Sequence, residues 1–307
     1  MEKEMKKFIV LTLVAAMLIA ALSGCALLAA GIIAGEDETT ASDSPSGSQS
    51  AAKPDPTIDE TNAEIVETVL YSDDEYTITV TGIEKDWSDT VLKLLVENRT
   101  DRNIALKGNY FVVNGITIPG WMYIEVAAQK KSNGDLRLYE NAMETAGISQ
   151  VATLIAYETE ILDTDDLFGY TKEMPLTINT SLAGRYEQKI NDEGSLIWES
   201  NGISVTSQVI EDARFVHRVQ LFIRNDTDRN INLTADDISV NGFTLSGLLL
   251  ENVSANSVAF GDLLVGESEL EENNITEIEE VTFTIRVNPA DDIFTTLAES
   301  PELTVTP

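Results

Sequence analysis

From about residue 68 to its last residue the chain is written largely in alternating positions. In Tyr76-Thr77-Ile78-Thr79-Val80-Thr81 apolar and hydroxyl-bearing side chains take turns, and Ile203-Ser204-Val205-Thr206 alternates in the same phase. A period of two sends successive side chains to opposite faces, so both segments read as half-buried strands with Thr and Ser outward. Leu92, Leu94 and Val96 share one face, as do Val219, Leu221 and Ile223, while the opposite positions differ: Lys93 and Glu97 in one place, Gln220 and Arg224 in the other. Val281, Phe283, Ile285 and Val287 alternate with Thr282, Thr284 and Arg286. Asn114-Gly115 and Asn241-Gly242 predict tight hairpins, because both residue types tolerate positive φ. Short helices are predicted near Tyr139 to Ala146, before Gly147, and near Gly266 to Asn273, before Asn274, since Gly and Asn are the residues that best end a helix in a left-handed conformation.

These segments recur. Asn98-Arg99-Thr100-Asp101-Arg102-Asn103-Ile104 returns as Asn225-Asp226-Thr227-Asp228-Arg229-Asn230-Ile231, an offset of 127 residues. Val113-Asn114-Gly115 returns as Val240-Asn241-Gly242, and Gly134-Asp135-Leu136 as Gly261-Asp262-Leu263, at the same offset. Self-similarity of this kind marks one structural unit used twice. Six to eight short strands, turn signals and one helical turn per unit predict an all-β protein of two tandem immunoglobulin-like β-sandwich domains, residues 61–182 and 190–307. Because no Cys-Trp-Cys pattern occurs, the expectation is the sandwich architecture and not an antibody-type domain. The run Asn-x-Thr-Asp-Arg-Asn-Ile followed by Val-Asn-Gly resembles an uncharacterised repeat of secreted and membrane-anchored proteins of Gram-positive bacteria. That resemblance implies immunoglobulin-like extracytoplasmic domains and brings no functional residues with it.

The N-terminus has a different pattern. Lys3, Lys6 and Lys7 precede an apolar run that begins at Phe8 and reaches Leu22-Ser23-Gly24-Cys25. A positive start, an apolar middle and small residues before a cleavage point describe a secretory signal. Leu22, Ser23, Gly24 and Cys25 also resemble the lipobox of bacterial lipoproteins. That resemblance implies a signal peptide of residues 1–24, cleavage before Cys25, and diacylglycerol and fatty acyl groups carried on Cys25. The alternative is an uncleaved transmembrane helix, as in a receptor ectodomain: the apolar stretch continues to Ala34, 27 residues from Phe8, and about 20 span a bilayer. Both readings place the rest of the chain on the extracytoplasmic face of the cell membrane. Residues 25–60 are expected to hold the lipidated cysteine and a flexible acidic tether, because a Ser-, Thr-, Asp-, Glu- and Pro-rich stretch has too little apolar surface to offset the entropy of folding.

Composition narrows the chemistry. The 307 residues carry 52 acidic and 20 basic side chains, a formal charge of −32. Such a surface repels phosphate backbones, so nucleic-acid partners are excluded. One cysteine and one histidine, His217, leave no internal disulfide and no Cys-rich zinc site. His217 aligns with Thr90 of the first unit, and no Gly-x-Ser-x-Gly elbow occurs to pair with it, so it is expected to be a packing or surface residue. No catalytic residue is assigned. The Asn98 to Asn103 run is expected to build a turn, since Asn, Asp and Thr side chains bond nearby backbone.

Two clusters remain as candidate sites. Asp163, Asp165 and Asp166 suggest calcium, which prefers several carboxylate oxygens, although the EF-hand spacing fails and a solvated loop is the plainer reading. Trp121-Met122-Tyr123, matched by Leu248-Leu249-Leu250, form a bulky apolar cluster that reads as core, as contact between the two units, or as a candidate binding patch. The expectation is therefore a lipid-anchored cell-envelope protein whose modules bind an envelope protein or glycan, or act as spacers, without catalysis and with no cofactor beyond the lipid. A calcium-dependent ligand binder is the alternative.

Overall fold

The computed structural model describes residues 62–166, 171–213 and 216–307. The lipobox Leu22–Cys25, the apolar N-terminal stretch and the tether lie outside them. Among the described residues no helix is long and apolar enough to cross a membrane.

The fold is nearly all β. The first unit contains β1 (Thr68–Ser72), β2 (Tyr76–Asp86), β3 (Asp89–Asn98), β4 (Ile104–Val113), β5 (Ile116–Val126), β6 (Lys131–Leu138), α1 (Glu140–Thr145), β7 (Thr153–Ala156), β8 (Glu160–Asp163), β9 (Thr171–Glu173) and β10 (Leu176–Asn179). The second contains β11 (Ser195–Ser200), β12 (Ile203–Ala213), β13 (Val216–Asn225), β14 (Ile231–Val240), β15 (Phe243–Thr244), β16 (Gly247–Leu248), β17 (Leu250–Val253), β18 (Ser257–Gly266), α2 (Glu267–Glu272), β19 (Val281–Pro289), β20 (Ala298–Glu299) and β21 (Leu303–Val305). Segment for segment, the two follow one plan. Each has one layer of four antiparallel strands, β1-β2-β3-β6 and β11-β12-β13-β18. In the second layer β4 pairs with β7 and β8, just as β14 pairs with β19.

One strand serves both layers. Both ends of β5 pair with β4, and its middle, Gly120 to Met122, pairs with Leu138 to Leu136 of β6, Met122 facing Gly108 of β4 as well. In the second unit the same path is broken into three pieces: β15 and β17 pair with β14, and β16 pairs with β18. Glycine makes this crossing possible. A Cβ on Gly120 would lie 2.6 Å from the Arg137 carbonyl oxygen and 2.7 Å from the Phe111 ring, and one on Gly247 would lie 2.7 Å from Ile238. A strand can lie this close to its neighbours only where it has no side chain.

Apolar phases meet between the layers. Ile78, Leu92, Leu94, Leu106, Phe111, Met122 and Ile161 belong to one core; Val205, Leu221, Leu233, Val253, Phe283 and Ile285 belong to another. The hairpin turns carry the left-handed backbone their sequence predicts, with φ of 52° and 89° at Asn114-Gly115 and 50° and 82° at Asn241-Gly242. Both helices end as predicted, at Gly147 (φ 64°) and Asn274 (φ 56°). Ile148 N–H donates to Met143 O and Ile275 N–H to Leu270 O, the bonds of a Schellman cap.

The two units are joined rather than strung. Val258 of β18 pairs in parallel with Ile116 of β5, and Val258 N–H donates to Gly115 O at 3.1 Å. Beside this bridge the Thr117 hydroxyl lies 2.7 Å from the Ser257 hydroxyl and accepts from Ser254 N–H at 3.0 Å, all buried. Phe222 and Val258 of the second unit pack into the first unit's core, with Phe260 against Phe222. The connecting segment lies along the first unit: Ser181 N–H donates to Glu64 O, and the Gln188 side chain bonds Asn114 and the Gly147 carbonyl.

Candidate functional site

The repeated Asn-x-Thr-x-x-Asn run is a scaffold. Asn98 is buried; its amide nitrogen donates to the carbonyls of Arg102, Val126 and Ala127, and its oxygen accepts from Thr100 N–H and Oγ1. Asn225 repeats the set on Arg229, Val253, Ser254 and Thr227. One side chain thus ties the β3–β4 turn to the end of β5. The Val-Asn-Gly asparagines do the same elsewhere. Asn114 Oδ1 accepts from Ala152 and Thr153 N–H, and Asn241 Oδ1 from Glu279 and Glu280 N–H.

The aspartate cluster also serves its own backbone. Asp163 is buried, and its Oδ1 accepts from Asp165 and Asp166 N–H; Asp165 Oδ2 accepts from the Asn103 amide. Among the described residues no group of three or more His, Cys, Asp or Glu side chains is arranged to hold a metal ion. His217 sits half-buried on β13 beside a shallow depression lined by Ile210, Leu270, Ile275 and Pro307.

Trp121 and Tyr123 are brought together on the outer face of the first layer. Trp121 is 50% exposed and Tyr123 42%, and their ring centroids lie 6.2 Å apart with planes inclined by 29°. Met122 between them is fully buried and belongs to the core, not to the patch. Of the places open to these three residues, the core takes Met122 and the outer sheet face takes Trp121 and Tyr123. The signal was present in the sequence: Ile118, Gly120, Met122, Ile124 and Val126 form one phase, and Trp121 and Tyr123 fall in the other, with Glu125.

Charged groups frame the rings. Arg137 stands opposite Trp121 in the β5–β6 register, and Asp135 faces Lys93 across β3–β6. Lys93 Nζ lies 3.0 Å from Glu84 and 3.0 Å from Asp135. Arg137 pairs with Asp86 at 2.7 Å, Asp89 at 3.4 Å and Asp135 at 3.9 Å. The hydrogen bonds that Lys93 donates to the Asp135 and Glu84 carboxylates raise its ammonium pKa above its ordinary value. With Thr81 and Asn133 these groups line an open, shallow depression of about 610 Å³. Sequence reasoning missed this frame, since Lys93, Asp135 and Arg137 meet only through strand register.

A second cleft lies between the units, about 560 Å³, lined by Glu158, Glu160, Glu173, Arg229, Asn230 and Asp291 among others. Burial pushes the Glu158 carboxyl up, opposed by a hydrogen bond with Asn230 and helped by the charges of Glu160, Glu173 and Asp291. Near the same joint burial raises the Tyr110 hydroxyl, and burial together with Asp262 pushes Glu251 up to about 8. Elsewhere in the first unit, burial would raise the Asp73 carboxyl, but bonds from Lys172, Tyr71 and the backbone N–H of Tyr76 and Glu75 hold it well below the usual carboxylate range.

No protein-family model matches the chain, and no curated protein matches it. Among solved structures it is similar to a conserved domain protein from Bacillus anthracis, with 12% identity, 78% of this chain and 91% of that chain covered, and a TM-score of 0.26. It is also similar to red sea bream transglutaminase, with 9% identity, 68% and 28% coverage, and a TM-score of 0.20. Likenesses this slight bear on neither fold family nor activity.

Proposed function

We propose that this is a lipid-anchored protein of the extracytoplasmic face of a bacterial cell membrane that displays two immunoglobulin-like β-sandwich modules for non-catalytic binding. The observation that carries the reading is the exposed Trp121–Tyr123 pair on a rigid sheet face, framed by ion-paired side chains. Aromatics are the side chains most often found at the energetic centre of a contact, and here the strand beneath them is buried on its other side, so little ordering entropy is lost on binding. The Leu22–Cys25 lipobox supports the anchor, and the acidic tether that follows it supplies distance from the bilayer. The 27-residue apolar stretch favours one second reading, an uncleaved transmembrane anchor carrying the same modules.

The test is affinity capture from the host's envelope extract with the full chain as bait, comparing wild type with Trp121→Ala and Tyr123→Ala. Saturable capture that both substitutions abolish supports the proposal. Capture that neither substitution alters removes the patch from it.

A further inference from the structure

The two rings offer a small, flat surface. Half-exposed aromatics of roughly 150–250 Å² each present about 200 Å² together, against about 800 Å² per partner for a stable protein interface. The depression around them is open, and its rim is polar on both sides. Lys93, Asn133, Asp135 and Arg137 stand toward β3 and β6; Lys107 lies opposite Tyr123 on β4 and pairs with Glu160 at 2.6 Å.

The charges decide the ligand class. Lys93 and Arg137 are committed to four carboxylates, Glu84, Asp86, Asp89 and Asp135, so the β3–β6 side of the frame is net negative within a chain of charge −32. A phosphate- or carboxylate-bearing polymer is repelled. Neutral and cationic molecules remain; the Lys93 and Arg137 head groups that line the depression beside the rings oppose a cation at close range, which favours a neutral molecule with an apolar face and a rim of hydroxyls. A pyranose ring has this form: its C–H face meets the negative face of an aromatic ring, and its hydroxyls both donate and accept, as Asp135, Asn133, Lys93 and Arg137 require.

We propose that the Trp121–Tyr123 platform binds a neutral polysaccharide, laying sugar rings on the two aromatics and hydroxyls against the Lys93–Asp135–Arg137 row. This rests on the reading of that face as the protein's binding surface. One site per chain is expected, because the second unit carries Leu248, Leu250, Gln220, Leu264 and Phe260 where the first has Trp121, Tyr123, Lys93, Arg137 and Asn133.

The tryptophans supply the assay. Trp87 is 99% exposed at the β2–β3 turn and Trp198 only 8%, so in a Trp87→Phe chain the quencher-accessible fluorescence belongs to Trp121. The full chain, held in a sugar-free polyoxyethylene detergent, is titrated with cellohexaose, maltohexaose, laminarin and mannan, and with polygalacturonate as the anionic control, under acrylamide quenching. The expected result is saturable protection of Trp121 by at least one neutral glycan at one site per chain, none by polygalacturonate, and affinity about tenfold weaker or worse in Tyr123→Ala. An unchanged circular dichroism spectrum shows that this variant still folds. No protection by any neutral glycan, or equal protection in Tyr123→Ala, overturns the proposal. If glycans fail while Trp121→Ala still abolishes envelope capture, the ligand class is wrong and the binding surface stands. If capture also survives, both readings fall.

Discussion

Asn98 holds more buried polar groups than any other side chain in the β3–β4 turn, and its loss can be reckoned. In Asn98→Ala the carbonyls of Val126 and Ala127 and the N–H of Thr100 lose their amide partner. Each buried group left unmade costs about 1–3 kcal/mol; the Val126 and Thr100 bonds are buried and the Ala127 bond only part-buried, so the lower part of that range for two groups gives about 2–3 kcal/mol. For a folded part of this size, about 2–4 °C per kcal/mol translates this into a fall in Tm on the order of 10 °C. Asn98→Asp tests the donor side alone. The acid keeps the acceptor that Thr100 uses but sets a carboxylate against three carbonyls, so it costs more than alanine at neutral pH. It recovers as pH falls and the carboxyl regains a proton to donate. Urea denaturation of wild type, Asn98→Ala and Asn98→Asp at pH 5 and pH 7.5 reads all three. A loss below about 1 kcal/mol for alanine, or an aspartate whose stability ignores pH, would refute the assignment of a scaffolding role.

Four further outcomes follow from the same structure. Glu251 is pushed up to about 8 by burial and by Asp262, so folding takes up a proton: its contribution is complete below about pH 4.5 and is lost as pH rises toward 8, at up to about 1.4 kcal/mol per pH unit. Urea midpoints across pH 5.5–8.5 should fall in wild type and flatten in Glu251→Gln, and parallel curves would contradict this. Thr117→Val keeps the shape of the joint but leaves the buried Ser254 N–H without its acceptor, an expected loss of about 1–3 kcal/mol by calorimetry; no loss would mean that the hydroxyl cluster does not hold the units together. Gly120→Ala should destabilise by more than an exposed Gly→Ala change, since its Cβ meets the Arg137 carbonyl and Phe111; a neutral thermal shift would deny the close crossing of β5. Cys25→Ser, or inhibition of lipoprotein signal peptidase, should leave a heavier, uncleaved chain on mass analysis if Cys25 is lipidated, whereas a membrane-spanning anchor shows no change.

How far the fold could be read depended on whether its cause was local. The strands at Tyr76 and Ile203 were legible because alternation is a property of neighbouring residues. The turns at Asn114-Gly115 and the helix ends at Gly147 and Asn274 were legible because backbone conformation limits residue choice. What crosses the chain was hidden. Asn98 looks like turn chemistry from its neighbours, yet two of its acceptors, Val126 and Ala127, lie 28 and 29 residues away. The switch of β5 between layers has no local pattern beyond one glycine. Of the candidate site, Trp121 and Tyr123 were named for their bulk, but their exposure required the phase of the whole strand, and the frame of Lys93, Asp135 and Arg137 required the register of three strands. The joint was invisible for the same reason, since Thr117 and Ser257 stand 140 residues apart.

That joint also bears on how two units of one plan can share a chain without repeating their contact between molecules. The hairpin end of the first unit docks on Ser254, Ser257 and Val258 of the second; among the described residues the second unit's own hairpin end, Asn241 to Thr244, has no such docking, and Phe243 is exposed there. A neighbouring molecule offering that end to the first unit would seek the positions equivalent to Ser257, Val258 and Phe260. It would find Lys130, Lys131 and Asn133, with both lysines solvated. A head-to-tail contact that repeated would build a ring or an open filament, according to its rotation. Here the equivalent surface carries two exposed lysines, so the same contact made between molecules would have to strip water from both charges.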